Sequence, residues 1–103
     1  MIKVSVMYPA GEGANFDLDY YCNTHVPLVG RLLGDAVKDI AIDSGIAGGA
    51  PGQAAPFVAI GHLVFDSVET FQGSFGPNAD QILSDLPNFT NIQPQIQISE
   101  IKA

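Results

Sequence analysis

The nine residues Phe57–Phe65, reading FVAIGHLVF, constrain the fold more than any other part of the chain. A short apolar run ahead of an Asp-Ser pair, with a proline just before it, reads as a strand. Successive side chains of a strand face opposite ways. One face would carry Phe57, Ala59, Gly61, Leu63 and Phe65, the other Val58, Ile60, His62 and Val64. Both faces are mainly apolar, so this strand must be central in its sheet and covered on both sides.

The remaining elements emerge from period and punctuation. Ile2–Tyr8 alternates Ile2, Val4, Val6 and Tyr8 against Lys3, Ser5 and Met7, as a strand does. Pro9–Asn15 is a loop, and a helix starts near Asp17, whose carboxylate suits a helix N-terminus. Pro27 removes a hydrogen bond to Asn23, which predicts a kink or a break. Ala36–Ile46 reads as a second strand with Ile40, Ile42, Ser44 and Ile46 on one face. After the uncharged loop Gly48–Pro56 and the third strand, Asp66-Ser67-Val68-Glu69 resembles a capping box opening a short helix. Asn78–Leu86 is helical and stopped by Pro87, and Asn91–Ile101 is the last strand.

The order β-α-β-β-α-β is an α+β, ferredoxin-like plan: one domain over residues 1–103, with a four-stranded antiparallel sheet and both helices on one face. Helices cover only one side of the third strand. A second copy of the sheet would cover the other, so a homodimer through sheet faces, a dimeric α/β barrel, is expected.

Composition agrees with a partner of the chain's own kind. Charged residues are 15% and hydrophobic ones 47% of 103, too few charges to cover a small domain's surface. Four basic against eleven acidic residues give a net charge of −7, with no basic cluster, so neither nucleic acid nor an anionic membrane surface is an expected partner. No apolar run approaches a membrane span. Cys22 is the one cysteine and the first strand begins at Ile2, which point to a cytoplasmic protein without a leader or disulfides.

Chemistry concentrates on the first helix. At about 100° per residue, Leu18, Tyr21, Cys22, His25, Leu28, Val29 and Leu32 share roughly one third of the circumference. An ionisable ring in such a stripe needs a hydrogen-bond partner, a cavity or a ligand. His25 is therefore either a satisfied core histidine or a general acid or base. Tyr21 lies one turn before it and Asp17 one turn before that, a ladder able to orient a proton-transfer pair. Tyr20 points about 100° away. His62 is the second titratable candidate if its face meets the same cavity, and Gly61 beside it leaves room for a ligand or for helix packing. No metal-ligand spacing is present, Gly11-Glu12-Gly13 lacks the context of a dinucleotide loop, and no metal or cofactor is expected.

The run Phe16-Asp-x-x-Tyr-Tyr-x-x-x-His25-x-Pro-Leu28, after a strand ending Met7-Tyr8-Pro9, resembles the EthD family, named for ethyl tert-butyl ether degradation. The resemblance implies a dimeric α+β barrel with a small-molecule cavity on each protomer, between the first helix and the sheet. His25 falls on the family's His-x-Pro histidine, and Tyr20-Tyr21 on its aromatic pair. The expected reading is a protein acting on a small, largely apolar oxygenated compound. His25, Tyr21 and His62 would carry cofactor-free proton transfer, and Tyr20, Cys22, Leu28, Val29, Gly61 and Phe65 would line the ligand. Alternatives are a non-catalytic carrier serving an oxygenase, and a cofactorless or haem-dependent monooxygenase.

Overall fold

The computed structural model describes all residues from Met1 to Ala103. Strands β1 (Ile2–Pro9), β2 (Asp39–Ser44), β3 (Phe57–Phe65) and β4 (Gln95–Glu100) form one sheet in the order β2-β3-β1-β4. Every neighbouring pair is antiparallel, with β3 and β1 in the middle. The central place of β3 agrees with its two apolar faces. The chain has the ferredoxin-like α+β fold.

Two helical arms lie on one face of this sheet. The first is α1 (Leu18–Tyr20), a widened π turn over Tyr21–His25, and α2 (Val26–Leu33). The second is α3 (Val68–Phe75), a tight turn, and α4 (Ala79–Ser84). Asp17 caps α1 by accepting the Tyr20 amide, and Ser67 caps α3 by accepting the Thr70 amide. Both caps sit where the side-chain chemistry required them. The last strand is shorter than its pattern suggested, because Pro94 has no amide hydrogen for the ladder. β2 likewise spans only the middle of its expected run, and Ile46, beyond its end, is 96% exposed.

Pro27 does not break the first helix. It follows directly on a turn that widens, so that the Val26 amide donates to the Tyr21 carbonyl, and this widening accommodates the proline, which has no amide hydrogen to give, inside a continuous helical path. The widening shifts the phase of the helix. Tyr21, His25 and Leu33 are buried, whereas Leu18 and Cys22 turn to solvent.

The core has two halves. Ile2, Val4, Leu33, Phe65 and Ile82 form one; Tyr8, Tyr21, Ala59 and Phe89 form the other, an aromatic nest that also takes in Phe16 and Tyr20. No helix is long and apolar enough to cross a membrane.

Candidate functional site

Between the two half-cores lies a cavity of about 100 Å³. β1 and β3 form its floor through Val4, Val6, Tyr8, Gly61 and Leu63, and the helical arms its roof. Sixteen of the nineteen wall residues are hydrophobic, and no lysine or arginine is among them. Leu83 and Ile96, respectively 47% and 55% exposed, mark the mouth between α4 and β4.

His25 ends the π turn and stands in this wall, 4% exposed. Its ring stacks on Tyr21 (5.7 Å between centroids, 18° between planes) and leans on Phe89 at 4.6 Å. Nδ1 lies 2.8 Å from Oδ2 of Asp85, just after α4. The other oxygen, Oδ1, accepts from the Tyr20 hydroxyl at 2.7 Å and from Asn88 Nδ2 at 2.9 Å. Burial pushes the Asp85 carboxyl towards its neutral form, but the hydrogen bonds from Asn88, His25 and Tyr20 outweigh it and hold its pKa below the ordinary value. An ionised carboxylate only accepts, so Nδ1 is the protonated nitrogen. Nε2 makes no hydrogen bond within the protein, and no buried polar side-chain atom is sealed without a partner, so Nε2 keeps its access to the cavity.

Asp85 is brought to His25 by stitching between distant segments. The Asp17 amide donates to the Phe89 carbonyl at 2.7 Å, and the Thr90 hydroxyl donates to the Asn15 carbonyl at 2.7 Å. Phe89, 3% exposed, wedges among Tyr8, Phe16, Tyr20, Tyr21 and His25.

Tyr8 and Tyr21 stand next along the wall, with ring centroids 5.5 Å apart. Burial raises the Tyr8 pKa to about 12 and pushes Tyr21 further up, so both phenols remain neutral donors. Each hydroxyl perturbs the other's ionisation, yet the two do not meet the geometry of a well-formed hydrogen bond; both oxygens therefore stay available to the cavity. Gly61 serves this arrangement: a Cβ there would lie 2.5 Å from the Tyr21 hydroxyl oxygen. The space that Gly61 leaves is filled by that hydroxyl rather than left for a ligand.

The other expected site residues divide. Val29 and Gly61 line the cavity with Tyr21 and His25. Cys22 is exposed, because the π turn swings it outward, and Leu28 and Phe65 lie outside the wall, Phe65 being fully packed in the neighbouring half-core. Tyr20 is absent from the wall and instead holds Asp85 from behind. His62 lies on the opposite face of the sheet, paired across β1 with Ser5, so the sheet separates it from His25. There Nδ1 is 3.2 Å from the Ser5 hydroxyl and Nε2 is 3.0 Å from Asp43 Oδ2. The three residue types match an acyl-transfer triad, but the chain of bonds crosses an open sheet face outside the cavity.

Asp85, Asn88, Tyr8 and Phe89 were not anticipated. Asp85 carries one legible signal. A carboxylate after the last turn of a helix opposes the helix dipole, so something other than the helix must hold it there.

A model of the EthD domain matches residues 11–93. The chain belongs to the EthD family. A crystal structure of an EthD-like protein from Ralstonia eutropha JMP134 is 44% identical, with a TM-score of 0.92 over 96% of this chain and 89% of that one. An ethyl tert-butyl ether family (EthD) protein from Bacillus halodurans C-125 is 19% identical, with a TM-score of 0.68 and 99% of each chain covered. An Arabidopsis thaliana protein shares the fold at 10% identity and a TM-score of 0.71, over 100% of this chain and 97% of that one. No curated protein matches the chain significantly. The EthD model spans the whole Asp85–His25 constellation, so the dyad lies within the family's own domain and not in an added segment.

Proposed function

We propose that this EthD-family chain takes a small, largely apolar, oxygenated organic compound into its cavity and moves a proton on it through His25, without a cofactor. One observation carries the reading. A buried imidazole is fixed through Nδ1 by a carboxylate, while its Nε2 stands unpartnered on an apolar wall. The carboxylate sets the tautomer that leaves Nε2 a proton acceptor and stabilises the imidazolium formed after transfer. The dry wall strengthens both effects. Asp85 and Tyr20 act as positioning residues in this scheme, and His25 as the catalytic one. The Bacillus relative bears the name of ethyl tert-butyl ether, which supports a compound of this class and a degradative setting.

A carrier that binds such a compound and hands it to an oxygenase is the second reading, favoured by the predominance of apolar wall residues. A haem-dependent oxygenase fits poorly. The cavity is smaller than the ~150 Å³ space that accommodates benzene, far short of a porphyrin.

The protein would work as a homodimer joined through the outer sheet faces. Met7, Val58, Ile60 and Val64 are half-buried on that face, no element of the chain covers it, and only 12 of 103 residues are buried in one protomer. Sedimentation at micromolar concentration tests this: the dimer mass is expected, with the monomer mass for Ile60→Lys.

Binding of cyclopentanone and of tetrahydropyran, followed by saturation-transfer NMR, tests the site itself. Wild type should bind, and Val29→Phe, which fills the cavity, should not while keeping its circular dichroism spectrum. Undiminished binding by Val29→Phe would place the ligand elsewhere.

A further inference from the structure

The cavity wall has a polar pole and an apolar remainder. His25, Tyr21 and Tyr8 succeed one another at ring separations of 5.7 and 5.5 Å, the two tyrosines belonging to the aromatic half-core and His25 stacking on its edge. Leu33, Phe71, Phe75 and Ile82 close the other end. The polar pole combines one proton acceptor, His25 Nε2, with two hydroxyl donors that lack a well-formed partner, all on residues at least nine-tenths buried.

From this we infer that the substrate is an electrically neutral, compact carbonyl compound, and that the chemistry is enolisation: His25 Nε2 removes a proton α to a carbonyl whose oxygen is received by the Tyr8 and Tyr21 hydroxyls. The inference rests on the proposed proton-transfer role and names its substrate class and two further catalytic residues. An ether or alcohol oxygen would satisfy the phenols but offers the base no acidic C–H. A carbonyl compound sets its acidic C–H next to the acceptor oxygen, so both demands are met by adjacent atoms. In the step the α C–H bond breaks and its electron pair forms the C=C bond. The carbonyl π pair moves onto oxygen, where the phenol O–H groups hold it, and the proton resides on Nε2, where it exchanges with solvent through the open mouth before a proton or deuteron returns to carbon. No oxidant or reductant is consumed.

Neutrality is argued from the positions of the four basic residues. Lys3 lies on the outer face of the sheet, Arg31 is exposed on α2, Lys38 contacts the Asp35 carbonyl and Asp66, and Lys102 pairs with Glu100. None reaches the wall, so a carboxylate or phosphate entering it would lose its hydration against an uncompensated negative protein. Size is set by volume. About 100 Å³, open at the Leu83–Ile96 mouth, encloses the head of a molecule of about benzene's size and leaves its far side at the opening.

The test is exchange of α hydrogens for deuterium, monitored by proton NMR in heavy water at neutral pH. The probes are cyclopentanone, with benzene's count of non-hydrogen atoms, and pyruvate, of like size but anionic. Wild type should accelerate cyclopentanone exchange about 10²-fold or more over buffer. His25→Asn should abolish the acceleration, and Tyr8→Phe and Tyr21→Phe, which keep their rings, should each reduce it about tenfold or more. Pyruvate should exchange at the buffer rate. Cyclopentanone that binds by saturation transfer without accelerated exchange overturns enolisation and leaves the small-molecule site standing. Failure of cyclopentanone to bind at all overturns both readings. Equal acceleration of pyruvate overturns the neutral class, and full activity of both phenylalanine variants removes the tyrosines from the chemistry.

Discussion

Gly61→Ala is expected to damage the site through Tyr21, and the damage should be repairable. A Cβ built at Gly61 lies 2.5 Å from the Tyr21 hydroxyl oxygen and 3.5 Å from Ile42 Cδ1. The second contact is ordinary; the first is nearly an ångström too short. The hydroxyl sits at the end of a rigid ring wedged among Tyr8, Phe16, His25 and Phe89, so it has little room to retreat. Overpacking of this kind costs about 1–3 kcal/mol, of which relief from a strand glycine returns about 0.5–1 kcal/mol. The net loss, about 0–2.5 kcal/mol and centred near 1 kcal/mol, should lower Tm by roughly 4–8 °C per kcal/mol in a domain of this size. Tyr21→Phe removes the colliding oxygen, so Gly61→Ala should cost far less in that background. Thermal unfolding of the four proteins in the cycle measures the coupling, expected at about 1 kcal/mol or more. Simple additivity of Gly61→Ala and Tyr21→Phe would refute the claim that this glycine seats the hydroxyl.

Asp85→Asn should cost about 1–3 kcal/mol, because the amide cannot accept from His25, Tyr20 and Asn88 at once. Asp85 has a lowered folded pKa, so its stabilisation is present above the unfolded value near 3.9 and is lost as pH falls through the folded one; acid unfolding of Asp85→Asn should lack that share. All three tyrosines have raised pKa values, Tyr20 chiefly through its bond to Asp85, so ultraviolet titration should show less phenolate at about pH 10 in the folded protein than in the unfolded chain. Their neutral forms are favoured in the fold, so stability should decline as pH rises above about 10 and towards the folded values, and phenolate should appear together with unfolding. Ser67→Ala should lower stability by about 0.5–2 kcal/mol by uncapping α3, measurable by urea unfolding, and should leave the cavity untouched.

Periodicity and caps made much of the architecture readable. The doubly apolar β3 placed itself at the centre, and Asp17 and Ser67 announced the helix starts. His25 and Tyr21 were visible as polar atoms on an apolar stripe. Val29 keeps its expected place in the wall, but Cys22 and Leu28 do not, because a spacing of about 100° per residue carries no sign of the π turn that shifts the phase ahead of Pro27. His62 was ambiguous for another reason: alternation within a strand groups residues by face but does not say which face meets the helices. Asp85 and Phe89 lie some 60 positions from His25 and reach it through contacts between Phe16–Asp17 and Phe89–Thr90, which no local pattern encodes.

The protonation pattern of one ring decides whether His25 can act as a base. Long-range proton–nitrogen NMR of the His25 imidazole reads it directly. Nδ1 should appear as the protonated, Asp85-bonded nitrogen and Nε2 as a bare acceptor, and the Nε2 resonance should move when cyclopentanone is added. A proton on Nε2 in the neutral ring, or an Nε2 signal indifferent to cyclopentanone while Asp85 remains bonded, would contradict it.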